Sequence, residues 1–438
     1  MTEYFPKISK VKYEGPNSKN PLSFRYYNPK QKFYSKTLEE HLRIAVCYWH
    51  TFCWTGADMF GLPTMNHKWL KGNDPMKAAH QKVDAAFEFY EKLGTKYFCF
   101  HDRDVSPEGS TLKETNERLK KIADKIGKKM SETKMELLWG TANLFSHPRY
   151  MAGAATNPDP EVFAYAVAQV KQALDITKQL KGHNYVLWGG REGYDTLLNT
   201  DMKKESDQLG HFLSMLVDYK YKIGFKGLLL IEPKPCEPTK HQYDHDVAHV
   251  LAFLSKHGLE NEFKVNIEGN HATMAGHTFS HEVAYAIANQ IFGSVDANQG
   301  DPQLGWDTDQ FPMDLKEFAY VNYLILKNGG FTSGGFNLDT KLRRQSIDLE
   351  DLFYAHICGI DTLARSFLIA VQMIEEKKLR DFKEHRYGKW DQGLGAKIAS
   401  GSMDFESIAK HVHKQKIEPK PVSGKQEMLE NYQNKCLS

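Results

Sequence analysis

Long apolar runs are scarce in this chain of 438 residues. The opening stretch, MTEYFPKISKVKYEGP, is polar and has no apolar signal core. No segment is read as reaching the roughly 20 consecutive apolar residues of a membrane helix. Surplus charge is also lacking: 57 basic residues face 55 acidic ones, for a formal net charge of +2. No broad positive field is therefore expected to hold nucleic acid or an anionic membrane, and the expected substrate is a small molecule that need not be anionic. The six cysteines, Cys47, Cys53, Cys99, Cys236, Cys358 and Cys436, form neither a CxxC pair nor a regular framework. That usage predicts reduced thiols and a cytoplasmic setting.

The remaining composition is that of an ordinary globular protein, 41% hydrophobic and 26% charged. Apolar, β-rich runs alternate with amphipathic stretches along most of its length. The runs cover 44–52, 97–102, 136–145, 185–190, 227–235, 264–271, 293–301 and 334–341, and helical patterns between them include 75–94, 160–182 and 205–224. Eight near-continuous hydrophobic strands separated by helices predict an α/β fold, a closed parallel (β/α)8 barrel of the TIM type. An open doubly wound sheet is the alternative, but it would gather its chemistry at one crevice. Here polar residues end at least six strands. Residues 1–40 read as an irregular arm, 41–345 as the catalytic barrel, and 346–438 as the last barrel helix followed by a helical extension for subunit contacts.

The strand ends carry the chemistry. Glu232, Glu268, Asp296 and Asp339 each interrupt hydrophobic sequence just before a turn, and burying a carboxylate is costly without a compensating cation. Four such costs in four successive strands point to a shared compensator, a pair of hard divalent ions. EGNH sets Glu268 and His271 three apart, so a strand leaving into a turn can converge them on one ion. DPQLGWDTD (301–309) adds Asp301, Asp307 and Asp309, with strand-like alternation expected to aim Asp307 and Asp309 at one point. One imidazole among carboxylates, with no thiolate and no EF-hand spacing, favours Mg²⁺, Mn²⁺ or Co²⁺ over structural Zn²⁺.

In EPKP, Glu232 and Lys234 are two apart and are expected on the same side of an extended strand, where the lysine can donate to an oxyanion. FHDRDVSPEG (100–109) offers His101 and Asp104, either as a proton-moving histidine with an orienting acid or as a turn capping the next helix. Trp49, Trp139 and Trp188, also at strand ends, suit flat apolar walls for a sugar ring, although such residues are commonly core. Lys120, Lys121, Lys128 and Lys129 read as solvated helix faces.

With these residues assembled, the chain resembles the xylose isomerase family, in its larger class with a long N-terminal arm, from about residue 5 to past 390. The matching stretches are FHDRDVSPEG, WGTANLFSHPRY (139–150), WGGREGYDTLLNTD (188–201), LLIEPKPCEPTKHQYD (229–244), VNIEGNHATMAGHTFSHE (265–282) and DANQGDPQLGWDTDQFP (296–312). The resemblance implies one metal held by Glu232, Glu268, Asp296 and Asp339. It implies a second held by Glu268, His271, Asp307 and Asp309, with Glu268 bridging. It also implies ring opening by His101 and Asp104, a hydrogen bond from Lys234 to the sugar's carbonyl end, and pocket walls from Trp49 and Trp139. Phe60 matches an aromatic that a neighbouring subunit inserts, and the implied assembly is a homotetramer. No role follows for Arg103, and for WGGREGYDT no ligand or proton-transfer role follows, helix entry or subunit contact being the function expected.

The function expected is conversion of D-xylose to D-xylulose, with D-glucose to D-fructose as a slower side reaction, by a metal-assisted 1,2-hydride shift. A proton-transfer enediol route is the chemical alternative. A two-metal hydrolase such as a phosphodiesterase is the rival enzyme class, disfavoured by the near-neutral charge. A non-catalytic sugar-binding protein would leave His101 and Lys234 without a role.

Overall fold

A strand covered on both faces is apolar at most positions, and, with Asn184, Asn266, Ser294 and Asn337 as buried polar exceptions, the eight runs approach this pattern. In the computed structural model, which describes residues 3–438, they form β1 (Ala45–Cys47), β2 (Tyr97–His101), β3 (Glu136–Thr141), β4 (Asn184–Trp188), β5 (Leu228–Glu232), β6 (Phe263–Glu268), β7 (Phe292–Asp296) and β8 (Phe336–Leu338). Each pairs in parallel with the next, and β8 returns to β1, so the sheet closes. Closure leaves no barrel edge to pair with another chain.

Eight helices surround the barrel: α1 (Pro75–Leu93), α2 (Leu112–Thr133), α3 (Pro160–Gln179), α4 (Met202–Ile223), α5 (Val247–Lys256), α6 (Phe279–Ala288), α7 (Leu315–Lys327) and α8 (Leu349–Glu376). Their starts are written in the sequence. Asp74 accepts the Met76 and Lys77 N–H groups ahead of Pro75, and Gly94, at φ 83°, ends α1 in the left-handed conformation. Helix α4 begins three residues before its expected start because Asp201 caps the Lys204 N–H. Helix α3 stops at Gln179 rather than 182, since Lys181 turns left-handed at φ 56° and delivers the chain to β4.

One expectation does not hold. Helix α8, 28 residues with an 18-residue apolar window, is long and apolar enough to cross a membrane. Within the fold, 61% of that window is buried. Leu352, Phe353, Ile360 and Phe367 join the main core, while Ala370 and Met373 pack with Ala319 and Tyr323 of α7.

The segment before β1 is more ordered than its weak periodicity suggests. Asp361 of α8 accepts the Arg25, Tyr26 and Tyr27 N–H groups at 2.7, 2.9 and 2.9 Å. Phe5 packs at 5.4 Å from Phe353. Beyond α8 run α9 (Lys378–Tyr387), α10 (Gly393–Ala399), α11 (Phe405–Gln415) and α12 (Gln426–Cys436). The chain returns through Tyr432 and Cys436, which pack against Ala319, Tyr323 and Met373. Helix α11 has no buried residue, and Phe405 is 95% exposed.

Candidate metal centre and active site

The last residues of β5, β6 and β7 are Glu232, Glu268 and Asp296, and Asp339 follows β8 directly. In a parallel barrel these strands end on one face, so four carboxylates converge at its mouth. One oxygen from each lies within 4.8 Å of the others, and all four residues are buried. Glu268 belongs to a second group of the same spacing with Asp307 and Asp309. His271, in the one-turn helix after β6, brings Nε2 to 3.1 Å from Glu268 and 3.2 Å from Asp307.

Asp307 and Asp309 reach this point by a route different from strand alternation. Their segment is a loop, clasped by reciprocal backbone hydrogen bonds between Gln299 and Gln310 at 3.0 and 3.2 Å. Asp309 itself is left-handed at φ 44°. Asp301 stays outside the cluster and accepts the Gln303 N–H, as a turn former does. Lys234 likewise lies beyond the end of β5. Its Nζ pairs with Asp307 at 2.7 Å and Glu237 at 3.4 Å, instead of with Glu232.

The electrostatics test whether these residues suit divalent ions. Burial, then the charge of Asp296, drives the Glu232 carboxyl well above the ordinary range. Burial acts first on Glu268 and Asp339 as well, reinforced by Asp307 and Asp296 respectively. Asp296 rises to about 6, chiefly through burial. Burial opposes ionisation of Asp309 too, yet Lys341 and His50 hold it well below the usual range. Three buried atoms in the cluster, Nδ1 of His271 and one oxygen each of Asp296 and Asp307, have no hydrogen-bond partner. Buried polar atoms are normally satisfied, so this oxygen-rich set is short of cations and fits hard divalent ones.

His101 and Asp104 stand beside the cluster. Nδ1 of His101 lies 2.7 Å from Oδ2 of Asp104. The Trp49 ring packs edge-on to His101 at 4.5 Å and lies 5.4 Å from Trp139, while Trp49 Nε1 donates to Asp339 at 2.9 Å. Trp188 lies under Lys234, whose Nζ is 5.2 Å from the ring centroid. Burial works against the Lys234 ammonium, but Asp307 and Glu268 raise its pKa above the usual value. Together these groups enclose a cavity of about 200 Å³. Drug-sized pockets run roughly 300–1,000 Å³, so this one suits a small polar molecule. Phe60 does not line it: that ring is 76% exposed and sits 5.9 Å from Trp306.

Several site residues escaped the sequence reading. His50 Nε2 sits 3.1 Å from Asp309 and 3.3 Å from Asp339, and Lys341 Nζ is 2.7 Å from Asp309. Asn266, Asn298 and Asn337 donate to Glu232, Glu268 and Asp296 at 2.9, 2.7 and 2.9 Å. A signal existed: Asn266 and Asn337 each stand two residues before a strand-end acid, hence on the same face of the strand. Arg103 has a partner as well, Asp102, whose oxygen is 3.4 Å away. Asp102 is 1% exposed and accepts from the Asn143 N–H and from Gln169 Nε2, both at 2.9 Å, tying the strand bearing His101 to the loop after β3. In WGGREGYDT, buried Glu192 accepts the N–H groups of Ala154, Ala155 and Thr156 at 2.8–3.2 Å.

The comparisons with known proteins agree with this architecture. Over its full length the chain is 59% identical to the xylose isomerase of Histophilus somni (strain 2336), with all of both chains covered. It is 58% identical to that of Marinomonas sp. (strain MWYL1) and 59% to that of Paraburkholderia xenovorans (strain LB400), with 99% of each chain covered. The chain belongs to the xylose isomerase family. It is an isomerase of that type. Residues 383–437 match the XylA2 C-terminal domain. In fold it is similar to D-psicose 3-epimerase (TM-score 0.50, 14% identity, 75% of this chain and 99% of that one). L-ribulose 3-epimerase is similar too (TM-score 0.50, 13% identity, 71% and 95%).

Proposed function

We propose that this xylose isomerase family member converts D-xylose to D-xylulose at a two-metal site, with D-glucose to D-fructose as a slower side reaction. One observation carries the reading: two donor sets that share Glu268 line, through every member but Asp296, the same small cavity as His101 and Lys234. Glu232, Glu268, Asp296 and Asp339 hold one ion; Glu268, His271, Asp307 and Asp309 hold the other. Mg²⁺, with Mn²⁺ or Co²⁺ as substitutes, supplies Lewis acidity toward the oxygens of the open-chain sugar.

The chain's own residues do the rest. Asp104 accepts from His101 Nδ1 and thereby fixes the imidazole, leaving Nε2 to move a proton at the ring oxygen as the cyclic sugar opens. Lys234, paired with Asp307, donates a hydrogen bond at the carbonyl end. Trp49 and Trp139 exclude water from the reacting carbons. Asp307 and Asp309 pair with Lys234 and Lys341 and would also hold an ion, so among the described residues neither would be left free as a base. A hydride shift between carbons 1 and 2 follows as the favoured route over an enediol. Phe60, exposed beside Met59 and Leu62, and the open face of α11 are the contacts we assign to a homotetramer.

Deuterium tracing decides the route. Deuterium placed on carbon 2 of D-xylose should appear on carbon 1 of the ketose, and complete washout to solvent would overturn the hydride shift. Metal-stripped protein should regain D-xylose turnover with Mg²⁺, Mn²⁺ or Co²⁺; no metal-dependent ketose formation would overturn the reading as a whole.

A further inference from the structure

Two segments leave histidines with no part in the site just described. HQYDHDVAH (241–249) leads into α5 and GHTFSHE (276–282) into α6. They bring His245, Asp246, His249, His277, His281 and Glu282 together where the helices after β5 and β6 begin. Oδ1 of Asp246 lies 2.8 Å from both the His249 backbone N and its Nδ1, and Oδ2 lies 3.3 Å from Nε2 of His277. Glu282 is 4% exposed. Its Oε2 accepts the Val247 N–H at 2.9 Å, while Oε1 stands 4.0 Å from Nε2 of His277. The rings of His277 and His281 are 4.9 Å apart. One nitrogen of each and one oxygen of Glu282 lie within 4.8 Å of one another.

Surface histidines are commonly just solvated, and the two carboxylates set this group apart. Both Glu282 and Asp246 are buried, each has one oxygen committed to a helix N-terminus, and each turns the other toward His277. Their charges offset the positive ends of α5 and α6, which would otherwise repel a cation. The donors are nitrogen-rich, unlike the carboxylate ring at the barrel mouth, and imidazole selects Zn²⁺, Ni²⁺ or Cu²⁺ over Mg²⁺. Small side-chain rotations bring such donors to the roughly 2.0–2.1 Å of a zinc–nitrogen bond, and exposed His281 is free to make them. We propose that His277, His281 and Glu282, with Asp246 beside them, form a separate site for a Zn²⁺-class ion that clips the start of α5 to the start of α6.

Cu²⁺ is the probe, added to the full-length Mg²⁺-loaded protein in excess Mg²⁺. One equivalent should bind with nitrogen coupling in its electron paramagnetic resonance spectrum. His281→Gln should weaken that binding on the order of 100-fold, because even an outer-shell partner is worth 10- to 100-fold. Mg²⁺-dependent turnover should stay unchanged. His277→Gln should remove the same signal, whereas His271→Gln, at the barrel mouth, should leave it intact. Wild-type affinity and coupling in His281→Gln, or loss of the signal in His271→Gln, would overturn the proposal.

Discussion

Oδ2 of Asp104 meets His101 twice, lying 3.1 Å from its backbone N and 2.7 Å from its Nδ1. Asp104 closes the short turn 102–105 back onto His101 rather than capping the next long helix, whose N-cap is Thr111, and the same oxygen holds the imidazole. A carboxylate that caps the strand exit also fixes the imidazole tautomer, so Nε2 rather than Nδ1 is available for proton transfer.

Replacing His101 by Gln should cut kcat by about 10²–10⁴-fold, the usual range for a positioned acid–base group, with metal content unchanged. Asp104→Asn should cost less, because Nε2 stays in place and only the tautomer preference is lost. Steady-state kinetics on cyclic D-xylose checks the order of the two. Equal activity in wild type and His101→Gln would remove His101 from the mechanism.

Glu268 is the shared member of both donor sets, so its loss should differ in kind from loss of Asp296 or Asp309. Glu268→Gln should depress binding of both ions, Asp296→Asn mainly one and Asp309→Asn mainly the other. Metal stoichiometry by elemental analysis reads this directly. Turnover of Glu268→Gln should fall by about 10³-fold or more, since Lewis-acid assistance is worth several kcal/mol.

Chelation should lower the melting temperature. Stripped of cations, Glu232, Glu268, Asp296 and Asp339 are buried without compensation: burial pushes all four carboxyls upward, and neighbouring carboxylates add to this for Glu232, Glu268 and Asp339. At free Mg²⁺ of 100 times its Kd, binding one site stabilises by about 2.7 kcal/mol. A melting temperature unmoved by Mg²⁺ would count against the metal assignment.

Glu192→Ala should loosen the segment 154–156, whose three N–H groups it receives. Each unsatisfied donor costs about 1–3 kcal/mol. Denaturant unfolding should show a loss of several kcal/mol, and a loss below 1 kcal/mol would mean that water replaces the carboxylate.

Acid sensitivity should have a source away from the metal site. His356 is fully buried, lies with Nδ1 2.7 Å from the Leu352 carbonyl oxygen, and is pushed down by burial to about 4. A folded pKa below the usual 6.5 means the unfolded chain takes up its proton first. The stability contribution is complete above about 6.5 and declines as pH falls toward 4, by on the order of 3 kcal/mol in all. His356→Gln should flatten this part of the stability–pH curve between pH 6.5 and 4.

Much of the site was legible because cost leaves a mark. An acid at the end of an apolar strand is conspicuous, and Glu232, Glu268 and Asp296 each end one. Asp307 and Asp309 were legible only as residue types, since a loop clasp and a left-handed residue place them. His50, Lys341 and Asn298 were hidden because nothing local distinguishes them from ordinary polar residues near a turn. Their roles come from partners up to 289 positions away, the separation of His50 from Asp339.

Periodicity and strand-end acids, properties of short segments, determined by themselves the alternation of strands and helices, the helix caps and the face on which the chemistry collects. Tertiary structure alone decided which acidic side chains converge, which charges neutralise one another, and that an apolar helix lies inside the fold. Those outcomes depend on distances between residues remote in sequence and on the loss of water around them, and closure of the barrel sets both.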